Sequence, residues 1–263
     1  MRYVSDWIVK ENVRIHSNYS LLKLTLDKEI PEMLPGQFVQ VRVDGSKSTF
    51  LRRPISIHFV DKEANELWLL IQMVGNGTRR IAKLNPGDIL NLIYPLGNGF
   101  TLPEDIFTSP DKNKKLLLVG GGVGVAPLLH LGAQLLSMDY KPHFLLGARS
   151  QKDLLQLDEF RKYGEVYITT EDETCGEKGF VTNHSILKSG NFDYIYCCGP
   201  KPMMVAVAKY ARQHAIEGEV SLENLMACGI GACLCCVEKT IYGNMRTCIE
   251  GPIMNINTLL WQT

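Results

Sequence analysis

The sequence predicts a multi-domain β and α/β protein: an antiparallel β-barrel, a Rossmann-like α/β domain and a small C-terminal domain built on a cysteine loop. Three observations carry this reading. From Tyr3 to about Leu102, apolar and polar residues alternate in short runs separated by turns. From Leu116 the rhythm changes to strand, helix, strand, the mark of a parallel sheet with helical crossovers. In the stretch Met226 to Cys248, residues Cys228, Cys233 and Cys236 stand at C-x4-C-x2-C, and Cys248 follows after eleven intervening residues.

In the first segment, Leu22, Leu24 and Leu26 alternate with polar neighbours, and Phe38, Val39, Val41 and Val43 follow the Pro35-Gly36 turn. Ile55 to Val60 and Leu67 to Val74 flank a polar turn at Asp61 to Glu66, and Asp88 to Tyr94 reads as a further strand. About six short antiparallel strands at such intervals predict a small closed barrel, which leaves no sheet edge exposed. A short helix is expected over Arg79 to Leu84, stopped by Pro86-Gly87. The Pro-, Asp-, Lys- and Ser-containing segment Pro103 to Lys115 reads as a boundary.

Beyond it, strands are expected at Leu116 to Val119, His143 to Gly147, Val166 to Thr170 and Tyr194 to Cys198. Helices are expected at Val125 to Ser137, Leu155 to Tyr163 and Met203 to His214. The domains are placed at residues 1–103, 113–222 and 223–263. An apolar fraction of 45% supports full cores, and 28 basic residues balance 28 acidic ones, so nothing recommends nucleic acid or an anionic membrane as partner. The most apolar run, Leu116 to Leu136, is broken by five glycines and Pro127 and reads as strand, turn and helix. The charged amino terminus has no apolar h-region, so no secretory signal is expected. Eight cysteines without one point to a reducing, cytoplasmic setting where thiols bind metal more often than they pair.

Four stretches carry chemistry. In Leu51 to Ile57, Arg53 and Ser56 flank Pro54 and Ile55 on one strand, offering a guanidinium to a pyrophosphate and a hydroxyl to a flavin. Leu70, Ile71 and Gln72 end a strand before Gly75-Asn76-Gly77-Thr78, where Gly77 and Thr78 open a helix whose N-terminus suits phosphate. In Leu117 to Pro127, Gly121, Gly122 and Gly124 let backbone N–H groups approach a dinucleotide. Cys198, Gly199 and Pro200 form a turn after a strand. Taken singly, these stretches also fit a surface arginine pair, an N-cap, a closely packed turn and a helix entry.

The fifth stretch is the cysteine loop, whose spacing is that of a plant-type 2Fe-2S cluster. Four thiolates must surround two irons, so three come from one tight loop and the fourth from a later strand. Gly229, Gly231 and Ala232 permit the required backbone turns. A zinc site would prefer two separated C-x2-C knuckles. Cys228, Cys233, Cys236 and Cys248 are taken as the metal ligands, and Cys235 is expected to be a small buried residue facing away from them.

The barrel stretches resemble the FAD-binding half of the ferredoxin-NADP reductase superfamily, although Ile55 replaces the usual aromatic of its strand motif. With Gly120 to Pro127, Cys198-Gly199-Pro200 and the MACGIGAC loop added, the whole chain resembles the electron-transfer subunits of type B dihydroorotate dehydrogenases. That resemblance implies FAD at Arg53, Pro54, Ile55, Ser56, Leu70, Ile71, Gln72, Gly77 and Thr78, and nicotinamide beside Cys198-Gly199-Pro200. It further implies a partner, an FMN-containing dihydroorotate dehydrogenase catalytic subunit, in a heterotetramer of two of each. Electrons would pass from the partner's FMN through 2Fe-2S and FAD to NAD in pyrimidine biosynthesis. No side chain of this chain is assigned as catalytic acid, base or nucleophile. The same motifs fit the small flavin and iron-sulfur subunit of a ferredoxin:NADP transhydrogenase or a sulfide dehydrogenase, and a metal-binding module without flavin is a third reading. Arg149, after the strand ending at Gly147, leaves NAD against NADP open.

Overall fold

The computed structural model describes residues 1–109 and 111–261; Pro110, inside the expected boundary segment, and the last two residues of the expected third domain lie outside the described residues. Six strands close the barrel in the order β1-β2-β5-β4-β3-β6. They are β1 (Tyr3–His16), β2 (Tyr19–Thr25), β3 (Phe38–Val41), β4 (Arg53–Asp61), β5 (Glu66–Gln72) and, after helix α1 (Asn76–Ile81), β6 (Ile89–Leu96). All pairings are antiparallel. Trp7, Leu22, Leu24, Val39, Val41, Ile57, Leu69 and Ile71 fill the interior, as the period of two requires. Helix α1 starts three residues before the expected position, because Thr78 Oγ1 bonds back to Gly75 and fixes the first turn there.

A short helix α2 (Pro103–Ile106) leads to β7 (Leu116–Gly121), α3 (Ala126–Ser137), β8 (His143–Ala148), α4 (Leu157–Arg161) and β9 (Glu165–Thr170). Then follow β10 (Glu177–Lys178), α5 (Ile186–Ser189), β11 (Tyr194–Cys198), α6 (Lys201–Gln213) and β12 (Glu217–Ser221). The C-terminal segment forms the hairpin β13 (Val237–Thr240) and β14 (Gly243–Arg246), and β15 (Ile253–Asn255). The second sheet has seven strands in the order β10-β9-β8-β7-β11-β12-β15. Its strands are parallel except β15, which pairs antiparallel with β12. The segment following Glu223 therefore returns to the nucleotide sheet and completes its edge. Helix α4 is shorter than expected because Gln156 adopts φ 51 just before it.

Barrel and second sheet are joined by a buried polar link. His58 on β4 is fully buried, with Nδ1 2.8 Å from the Ala126 carbonyl at the start of α3 and Nε2 within hydrogen-bonding distance of the Gln156 amide. Burial pulls its pKa below the ordinary 6.5. A neutral ring carries one N–H, which Nδ1 donates to the Ala126 carbonyl, while Nε2 faces Gln156 Oε1.

A folded-state pKa below the unfolded value means that the unfolded chain binds the proton first as pH falls, so the link's contribution is present above about pH 6.5 and declines below it. The His58→Gln variant lacks that proton site. The stability gap between wild type and variant, measured by urea unfolding, is expected to narrow from pH 7.5 to pH 5; a gap independent of pH would contradict the buried neutral ring.

Candidate active site and metal centre

One cleft of about 680 Å³ runs along the join between barrel and nucleotide sheet, within the range of cofactor sites. Arg53, Pro54, Ile55, Ser56, Leu70, Gln72, Gly77 and Thr78 line it. Pairing of β4 with β5 and the turn into α1 brings these distant stretches to one wall. Ile71 departs from the expectation: it is fully buried in the barrel core and is not among the lining residues, since alternation points it opposite to Leu70 and Gln72. The two adjacent arginines divide. Arg52 donates to the Gln40 and Asn91 carbonyls and to Asn91 Oδ1, tying barrel strands together. Arg53 lines the cleft, with Nη1 braced on the carbonyls of Leu51 and Arg52. A Cβ at Gly77 would stand 2.9 Å from Arg53 Nε, so glycine there leaves the guanidinium its place.

The two glycine turns of the nucleotide sheet pack face to face. A Cβ on Gly124 would lie 2.4 Å from Gly199 Cα, and one on Gly121 would lie 2.5 Å from Met203 Sδ. Gly122 has φ +56 and open space beside it. Structure thus brings Gly121, Gly122, Gly124, Cys198, Gly199 and Pro200 together at the carboxyl ends of β7 and β11, where open α/β sheets bind ligands. These six are not among the cleft-lining residues; Val123 and Ala126, which follow from the same turn, are. Cys198 is fully buried, and burial pushes its thiol well above its ordinary pKa, against a hydrogen bond with Ser221.

Several cleft residues carry no motif. Phe38, Ser48, Thr49, Glu223 and Met226 line it from the barrel and from the C-terminal segment. Glu223 is walled by protein yet open to the cleft itself, and burial raises its carboxyl to about 7. A lone glutamate at a domain boundary gives no signal in the sequence.

The four cysteines expected to be ligands fall in two pairs. Cys228 neighbours Cys233 and Cys236 neighbours Cys248, and Cys228 is close enough to Cys248 to act on it electrostatically. Two irons taking two thiolates each need this division. No three His, Cys, Asp or Glu side chains among the described residues converge on a single-ion site. Burial pushes the Cys228 thiol up, but N–H groups of Ile230, Cys233 and Ala232 and the Cys233 thiol outweigh it and lower its pKa. Burial and the neighbouring Cys236 raise Cys248. Thr247 holds the Cys236 carbonyl through both N and Oγ1, at 3.1 and 3.0 Å. Arg246 reaches the Gly231 carbonyl at 3.2 Å while paired with Glu250. Cys235 corrects the expectation of burial: it is exposed. Leu234 adopts φ 58, and this left-handed turn leaves Cys235 outside while Cys236 enters the interior.

Phe38 and Met226 belong to both places. Each lines the cleft, and each packs in the cluster of Leu96, Cys236 and Cys248. One layer of side chains thus separates the flavin-type cleft from the thiolate cage.

Barrel, glycine-turn sheet and paired cysteines define a reductase of the flavin- and nicotinamide-binding class with an iron-sulfur centre. Family models match accordingly: an oxidoreductase FAD-binding domain over residues 6–100, an oxidoreductase NAD-binding domain over 118–209, and the iron-sulfur cluster binding domain of dihydroorotate dehydrogenase B over 223–260. The dihydroorotate dehydrogenase B (NAD(+)) electron transfer subunit of Fusobacterium nucleatum is 37% identical over 256 residues, covering 95% of this chain and 96% of that one. Its counterpart in Lysinibacillus sphaericus is 38% identical over 264 residues, covering 98% and 97%. The chain belongs to this family of electron transfer subunits. Among solved structures, one described as an NADH-dependent reduced ferredoxin-NADP oxidoreductase superposes with TM-score 0.84 at 26% identity, covering 97% of this chain and 90% of that chain. The cytochrome b5 reductase domain of Ulva prolifera nitrate reductase shares the fold, with TM-score 0.67 at 15% identity and 81% and 94% coverage.

Gly124→Ala is expected to lower NADH oxidation with artificial acceptors at least about ten-fold, because the added methyl meets backbone that cannot yield. Flavin and cluster absorption should stay; unchanged activity would separate this turn from nicotinamide binding. For the cage, Cys233→Ser should lose the iron-sulfur absorption with FAD retained, whereas Cys235→Ala should keep both. Loss of iron in the Cys235 variant would show the other register.

Proposed function

We propose that this chain passes electrons between an FMN-containing dihydroorotate dehydrogenase catalytic subunit and NAD, as the electron-transfer part of a two-subunit enzyme of pyrimidine biosynthesis. The observation that carries the proposal is end-to-end similarity to the family, joined to the sharing of Phe38 and Met226 by cleft and cage. FAD supplies the exchange between a two-electron hydride and single electrons that the pairing of nicotinamide with a 2Fe-2S cluster requires.

The chain's own residues set the path. Arg53 offers its charge to the pyrophosphate, while Ser56 and Gln72 offer polar contacts along the same wall. Gly77 and Thr78 close the cleft at α1, and Pro54, Ile55 and Leu70 give it apolar surface. Gly121, Gly122 and Gly124, against Gly199 and Pro200, leave backbone bare for a dinucleotide. Phe38 and Met226 exclude water between cleft and cysteines. Dihydroorotate oxidation is assigned to the partner, since the relatives this chain matches are electron transfer subunits.

The cage is suited to docking. Leu225, Ile230 and Leu234 around it are exposed, at 86%, 45% and 63%. An apolar rim of this kind fits a protein partner whose FMN must approach the cluster closely. An assembly of two copies of each subunit and a cytoplasmic setting complete the proposal; no described helix is long and apolar enough to cross a membrane.

A second reading is favoured by the superposition with the ferredoxin-NADP oxidoreductase. The partner separates the two. The isolated chain is expected to oxidise NADH with artificial acceptors but not dihydroorotate, and to gain dihydroorotate-dependent NAD reduction when the FMN subunit is added. Dihydroorotate oxidation by the chain alone would refute the division of labour. Native co-purification with a ferredoxin-reactive partner instead would favour the second reading.

A further inference from the structure

The outward face of β3 and β6 is covered by the cysteine loop. Phe38, Leu96 and Ile93 pack there against Cys236 and Cys248, while Val39 and Val41 point the other way into the barrel. In that outward row, two residues from Phe38, stands an amide. Gln40 is fully buried, and among the described residues neither its Nε2 nor its Oε1 has a hydrogen-bond partner. Buried side-chain amides are normally satisfied, so one left with both ends open points to a partner outside the polypeptide.

The direction of the amide is fixed by its contacts. A Cβ on Gly229 would lie 2.3 Å from Gln40 Nε2 and 2.6 Å from its Cγ. Gly229 follows the ligand Cys228 directly and has φ +70, so glycine serves both the turn and the close approach of the amide. The loop's own N–H groups, including that of Ile230 at 3.5 Å from Sγ, already turn toward the Cys228 sulfur. Gln40 approaches from the barrel side. Its backbone carbonyl is held by Arg52 Nη1 at 3.1 Å, and its register partner on β4 is Pro54 of the cleft wall.

We propose that the Gln40 side-chain amide donates a hydrogen bond to the sulfur edge of the 2Fe-2S cluster beside Cys228 and thereby raises the cluster's reduction potential. Gln40 is a positioning and tuning residue on the electron path, and the inference rests on the iron-sulfur reading of the cage. Reduction adds one electron, delivered by the electron flow proposed above, and one negative charge to the iron-sulfur unit. A fixed N–H donor stabilises that added charge more than the oxidised state, and no proton is transferred.

The test is a redox titration of the loaded complex, with the cluster followed by electron paramagnetic resonance and the flavin by absorption. Gln40→Met keeps length and volume but has no donor. The one-electron reduction equilibrium of the cluster is expected to fall about ten-fold, a shift of about 59 mV to lower potential, with the flavin potential unmoved. Unchanged cluster potential in Gln40→Met would overturn the proposal, as would equal shifts in flavin and cluster. Native protein carrying 15N-labelled glutamine side chains provides a reading independent of the variant. Pulsed resonance of the reduced cluster should show weak coupling to a glutamine amide nitrogen, and its absence overturns the proposal even if Gln40→Met fails to hold iron. Iron content without EPR-visible 2Fe-2S in the wild type would instead overturn the reading of the cage itself.

Discussion

The packing of the cysteine loop onto the outer face of β3 is the contact on which the rest of the molecule depends. A barrel strand ordinarily shows water its outward side chains, and in this chain Phe38 and Gln40 are buried because the loop covers them. The same contact sets Phe38 between the flavin-type cleft and the thiolate cage, while the other face of the strand, Val39 and Val41, fills the barrel. Dispersion and apolar burial hold it, so the separation of the two sites is set by packed side chains whose volume leaves little room for adjustment.

Around that contact the C-terminal segment acts as a clamp. Asn98, just after the barrel, donates its backbone N–H to the Gly251 carbonyl, exchanges hydrogen bonds with Ile253, and its amide NH2 also reaches the Glu250 carbonyl. Thr101 binds Glu219 through N and Oγ1 at 2.9 and 2.6 Å, joining the barrel exit to β12. Buried Glu238 gathers Asn224, Lys201 and Trp261 and fixes hairpin β13-β14 over α6. With His58 holding α3 from the other side, the barrel and the sheet are tied at two remote places. Such ties favour a cleft of constant width over one that opens widely.

Much of this was legible in the sequence, for physical reasons that differ by element. Leu22, Leu24, Val39 and Val41 alternate because a half-buried strand must, and β7 shows as an unbroken apolar run because both faces of its sheet are covered. Ligand cysteines are legible because metal geometry fixes their spacing. Strand β12 and the edge strand β15 do not show in the sequence, since Glu217–Ser221 is polar at alternate positions and Ile253–Asn255 is too short for a period to show. Cys235 was read as buried because spacing specifies which cysteine binds, not where its neighbour points; that depended on the left-handed Leu234. Glu223 and Gln40 are silent in the sequence, because a polar residue at a cleft wall or buried under a loop becomes informative only when its surroundings are known.

Placing β15 against β12 gives the cysteine segment the form of a long insertion between two neighbouring strands, with Ser221 and Ile253 paired at its base. A loop closed at its base has already met the entropic cost of bringing its ends together, whether or not iron is present. Injury to the metal centre by oxygen is on this arrangement a local event: the cage can empty while the sheet edge stays sealed. The damaged subunit then remains a substrate for repair by reinsertion of iron and sulfide, in place of becoming a target for degradation.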